Sequence, residues 1–66
     1  MEKIRVFRFI KDYQCEMGKL MKNSVVEVVN GRVMFDGGLL SKKWGEVMLN
    51  IVEKGLGDYT LETENN

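Results

Sequence analysis

The first apolar run, Ile4 to Ile10, is dominated by β-branched and aromatic residues and reads as a strand. Its alternation places Ile4, Val6 and Ile10 on one face, interrupted by Arg8, and Phe7 and Phe9 on the other, beside Arg5 and Lys11. A strand apolar on both faces is either covered twice or meets a partner with one of them. Lys11 to Gly18 then reads as a turn or irregular strand, and Lys19 to Met21 resumes extended structure before Asn23-Ser24.

The sharpest local pattern spans Val25 to Phe35, where two β-rich runs flank Asn30-Gly31. Both turn residues tolerate positive φ, which makes Asn-Gly a strong code for a tight type I′ hairpin. That turn pairs Val28 with Val33 and Val26 with Phe35 on one apolar face. The opposite face collects Val29 with Arg32, Glu27 with Met34, and Val25 with Asp36. Burial of one face and the geometry of the turn specify the same register.

After Asp36-Gly37-Gly38, which ends the hairpin, the period changes from two to about 3.6. Trp44, Val47, Met48, Ile51 and Val52 form a helical stripe between Ser41 and Lys54, with Leu49 the apolar residue outside it. Ser41 is the expected N-cap, and Lys54-Gly55-Leu56 the expected left-handed stop, with Leu56 folding back on Ile51. Gly45 lies inside the helix, where glycine costs about 1 kcal/mol relative to alanine, and a close approach of helix to sheet would account for it. Asp58 to Glu62 reads as a short last strand.

Together these elements predict an α+β fold. A small antiparallel sheet of four to five strands, curled or partly barrel-like, packs on one helix in the C-terminal half, followed by a short final strand. Residues 1–63 form one domain and residues 64–66 a frayed polar tail.

Length tightens this picture, because 66 residues leave a marginal core unless a disulfide, a metal or a second subunit supports it. One cysteine and no histidine exclude an internal disulfide and leave a Cys/His zinc site without ligands. A homodimer stays open. The run opening at Met1 carries charge from Glu2 onward and has no apolar stretch of signal-peptide or membrane-spanning length. With a lone thiol, that points to a cytoplasmic protein without membrane association.

Ten basic and ten acidic residues cancel, unlike the strongly basic balance of dedicated nucleic-acid binders. The distribution is uneven: residues 1–35 carry seven Lys and Arg against four acids, and residues 36–66 carry three against six. Such polarity can orient an encounter with a partner, although a solvated surface explains it as well.

Catalytic equipment is sparse. The absence of histidine removes the usual general base and the Ser-His and Cys-His nucleophile pairs. Asp12 with Glu16, or Asp36 with Asp58, would need a cleft able to raise one pKa, and the acids read more simply as turn and surface residues. Cys15 lacks a CxxC partner, and the acids lack calcium-loop spacing. No catalytic residue, metal or cofactor is expected.

Two functions compete. The leading expectation is a non-enzymatic accessory or inhibitor module that occupies a surface of a larger protein, with Phe7, Phe9, Met34 and Arg5 at the contact. Five methionines in so short a chain favour it, since Met adapts to recognition surfaces, although Met also serves as core filler. In size and composition the chain is similar to small accessory proteins carried by phages and mobile elements, a likeness that assigns no residue a role. The alternative is an anion-, nucleotide- or nucleic-acid-binding domain using Gly37, Gly38, Ser41, Lys42 and Lys43. Lysines in a first helical turn oppose the dipole unless an anion is bound there. Arg5, Arg8 and Lys11 interleaved with Phe7 and Phe9 lend it some further support.

Overall fold

The computed structural model describes residues 3–65. Strands β1 (Ile4–Phe9), β2 (Tyr13–Cys15), β3 (Gly18–Leu20), β4 (Val25–Val29), β5 (Arg32–Phe35) and β6 (Gly38–Leu39) precede helix α1 (Lys42–Lys54) and strand β7 (Tyr59–Asn65). The main sheet is antiparallel with order β6-β5-β4-β1-β7, and β2 and β3 form a separate two-stranded hairpin. The fold is the expected α+β arrangement of an antiparallel sheet with one helix, and the sheet is open at both ends rather than a closed barrel.

Two copies of one turn chemistry build the β4-β5-β6 meander. Asn30-Gly31 has φ of 50° and 83°, and Asp36-Gly37 has 48° and 86°. These are the paired left-handed residues that a two-residue hairpin matching the strand twist requires. The first turn sets Val28 opposite Val33 and Val26 opposite Phe35, as the apolar pattern predicts. The second returns the chain as β6, setting Phe35 opposite Gly38 and Met34 opposite Leu39. Asp36 also fastens its turn to β4: its carboxylate accepts from the Val25 amide at 2.8 Å, and its own amide donates to the Val25 carbonyl.

Helix α1 starts where the sequence places it. The Ser41 hydroxyl accepts from the Trp44 amide, Gly55 ends the helix in a left-handed conformation, and the Leu56 amide donates to the Ile51 carbonyl. Met48, Ile51 and Val52 are buried against Phe7, Phe9, Val26, Val28 and Val33. Leu49, off the helical stripe, also packs on this core.

The β2-β3 hairpin folds onto the same side of the sheet as the helix. Leu20 is buried, and Tyr13 stacks on Phe9 with ring centroids 6.4 Å apart. Tyr59 enters from the far edge, edge-on to both Phe7 and Phe9, and donates its hydroxyl to the Val52 carbonyl at 2.5 Å. Gly57 sits where any larger residue would strike this aromatic cluster, since a Cβ there would lie 2.8 Å from the Phe9 ring. Gly45 has no such constraint: its Cβ would rest 3.8 Å from Val33, an ordinary contact.

The last strand is longer than expected. β7 runs alongside β1 to Asn65, pairing Glu64 with Arg5 and Asn65 with Ile4. Residues 64 and 65 of the expected tail therefore belong to the sheet, and Asn66 lies outside the described residues. A register shift opposite Val6 and Phe7 makes room for Glu62, whose carboxylate binds Arg8 at 2.9 Å.

Candidate functional site

Because side chains alternate across a strand, pairing fixes which residues share each face. Phe7 lies opposite Val26, and Val26 opposite Phe35, so all three point inward beneath the helix and hairpin. The intervening residues point outward, away from the helix and hairpin, with Arg32 and Leu39 at the margin also bordering a groove beside the helix start. Across this outer face run Ile4, Val29 and Arg32 in one row and Val6, Glu27, Met34 and Leu39 in the next, with Arg8 and Val25 beyond.

The outer face is apolar in outline, with Ile4, Val6, Val25, Val29 and Met34 half-buried by their neighbours and Leu39 63% exposed. Its charged groups differ in status. Arg8 is held by Glu62 and by the Asn23 carbonyl. Glu27 and Arg32 make no ion pair or side-chain hydrogen bond among the described residues.

The sheet edges are less open to pairing. β6 is two residues long, and β7 carries a register shift and acidic residues, features that blunt edge-to-edge association.

Of the four protein-contact residues expected from sequence, Met34 alone is on this face. Phe7 and Phe9 are core residues at 4% and 0% exposure, so neither is a contact surface. Each face of β1 is equally apolar in isolation, and the pairing of Phe7 with Val26 decides between them. Arg5 shares the inner side with Phe7; it lies over the Phe7 ring at 5.7 Å and reaches Glu53 of the helix at 3.6 Å. Its role is to tie β1 to α1. The same placement removes Phe7 and Phe9 as base-stacking platforms. Sequence reasoning missed Val6, Val29 and Leu39 on the outer face, although the hairpin register already put Val29, Glu27 and Arg32 beside Met34.

The five residues of the expected anion site do not converge. Gly37 and Gly38 are taken up by the Asp36-Gly37 hairpin and by β6, two residues short of the helix cap. An Asp-Gly pair between apolar residues was the available signal for that turn. Lys43 lies over the Trp44 ring, 4.7 Å from its centroid. Ser41 and Lys42 line a groove of about 540 Å³ with Arg32, Leu39, Leu40 and Glu46, in which Gly37 and Gly38 take no part.

The remaining titratable groups have structural partners or open surroundings. Asp12 accepts from the Lys22 amide at 2.7 Å and reaches Lys19 at 4.0 Å, bracing the β2-β3 hairpin. Cys15 is a free, half-buried thiol in a groove of about 550 Å³ between that hairpin and α1. Among the described residues there is no cluster of three or more His, Cys, Asp or Glu able to hold a metal ion. Among the described residues, too, no helix is long and apolar enough to cross a membrane.

Comparison of the chain with protein-family models, with curated proteins and with solved structures finds no match.

Proposed function

We propose that this protein is a non-catalytic binding module, an accessory or inhibitor that acts by occupying a surface of a larger protein with the outer face of its sheet. The observation that carries this reading is the one-sided architecture. Helix and small hairpin both stack on the inner face, so among the described residues Ile4, Val6, Val29, Met34 and Leu39 are left together without helix or hairpin over them. Contiguous apolar surface of this kind marks contact sites in proteins of this size. A flexible Met34 near the middle of the face suits an adaptable contact. The short and acidic edges turn the module away from strand addition and toward contact through the face.

A photo-crosslinking residue at position 34, compared with one at Glu53 on the exposed flank of α1, tests this in the source cell. The expected result is a covalent adduct with one larger protein from position 34 and none from position 53. No adduct, or the same adducts from both positions, overturns the reading. The double change Lys42→Glu with Lys43→Glu leaves the adduct intact. A salt-dependent loss of binding in that variant would instead favour an anion site at the helix start.

A further inference from the structure

On the reading of the outer face as a contact surface, we infer that a second copy of this chain covers it, forming a two-fold homodimer in which Glu27 meets Arg32 of the partner subunit. The face carries its own complement. Glu27 and Arg32 stand on neighbouring strands, offset by one row: Glu27 is opposite Met34, and Arg32 is opposite Val29. Both are unengaged among the described residues, whereas Arg8 is already held by Glu62. A two-fold axis that lays Glu27 over the partner's Arg32 lays Arg32 over the partner's Glu27 as well, because an isologous contact repeats each pair.

Glu27 makes this requirement strict. It sits between Val6 and Met34 near the middle of the apolar rows, and covering a carboxylate without a counter-charge is strongly unfavourable. A cover that buries Glu27 therefore has to bring it a cation or hydrogen-bond donors, and one that buries Arg32 an anion or acceptors. The second copy meets both demands with one symmetry operation. Rows of β-branched residues, Ile4, Val6, Val25 and Val29, suit the face-to-face packing of two sheets. An interface of standard size covers about 800 Å² per partner, roughly a fifth of the 4381 Å² surface of the chain. Self-association then hides the face until a larger protein takes the place of one copy.

Charge reversal tests the pairing. Glu27→Arg sets two arginines against each other across the two-fold, and Arg32→Glu sets two glutamates against each other. Each variant alone weakens association by about 30-fold or more. Mixed together, the two variants restore an attractive pairing between an arginine at position 27 of one chain and a glutamate at position 32 of the other. The same mixture keeps the parental Glu27 and Arg32 on opposite chains, so both contacts are attractive again. Native mass spectrometry of the mixture is expected to show a one-to-one heterodimer. The unmodified chain is followed by sedimentation over a concentration series. If it stays monomeric at several hundred micromolar, if each reversal dimerises as well as the parent, or if the mixture forms no heterodimer, the inference is overturned. Should a reversal unfold the chain, Glu27→Gln removes the charge alone, and unchanged association of that variant overturns it too. A monomer that still crosslinks to a larger protein through position 34 refutes the dimer and spares the proposed function. A dimer that never contacts another protein does the reverse.

Discussion

On β4, Val26 and Val28 are buried while their immediate neighbours Val25, Glu27 and Val29 are half-exposed. The same alternation divides the whole sheet. The inner face meets a helix, a hairpin and a cluster of interlocked aromatic rings, and the outer face meets nothing in the described chain. Residue type does not separate them, since valine and other large apolar residues occur on both. What differs is the cover, and cover determines which residues hold the fold and which are free to hold something else.

The largest test of that contrast is at Phe9. Truncating a large buried aromatic costs about 3–5 kcal/mol, and a domain of this length has a total stability of about 3–10 kcal/mol. Phe9→Ala is therefore expected to lose most of its cooperative urea transition by circular dichroism. Val6→Ala, on the outer face, is expected to lose less than about 1 kcal/mol. Comparable losses at the two positions would mean that the faces are not as unequal as the geometry makes them.

Next comes Gly57. A methyl group there has to displace Phe9, which is fully buried and pinned by Tyr13 and Tyr59. Gly57→Ala is expected to destabilise by about 1–3 kcal/mol, read from the urea midpoint. Tyr59→Phe keeps the ring but removes the hydroxyl bond to the Val52 carbonyl, with an expected loss of about 1 kcal/mol. Gly45→Ala runs the other way, because the added methyl meets Val33 at an ordinary distance. Removing a helical glycine there is expected to stabilise by about 0.5–1 kcal/mol. A loss at Gly45 would show that the helix sits closer to β5 than described.

The smallest effect on stability is expected at Met34. Met34→Lys changes the urea midpoint by less than about 0.5 kcal/mol equivalent while abolishing contact through the outer face, seen by sedimentation and crosslinking. A variant that folds poorly would reassign Met34 to the support of the sheet.

Much of the fold is written in local chemistry. Asn30-Gly31, the alternation around it, the Ser41 cap, the stripe from Trp44 to Val52 and the Gly55 stop each act over a few residues, so each is legible from a short window. Long-range pairing is not. Whether Phe7 or Val6 faces the core depends on the register of β1 against β4, about twenty residues away, and both faces of β1 satisfy the strand pattern. That single ambiguity sends Phe7, Phe9 and Arg5 to the wrong surface. The Asp36-Gly37 turn is legible by the same code as Asn30-Gly31, but the adjoining Gly38 and a two-residue strand give too little apolar run to show a hairpin. β7 reads short because its outer residues, Thr60, Glu62 and Thr63, look polar enough for a tail.

The pairing of Ile4 with Asn65 has a mechanical consequence. Both ends of the described chain lie at one end of the same antiparallel ladder, so tension applied between them pulls across the strands rather than along them. Such a load falls on one rung at a time, beginning where Ile4 meets Asn65 and moving toward Phe9 and Tyr59. The ladder thus opens like a zip, at far lower force than a sheared sheet of the same size. Force applied through these two strand ends thus meets the rim of the sheet before it meets the aromatic cluster around Phe9.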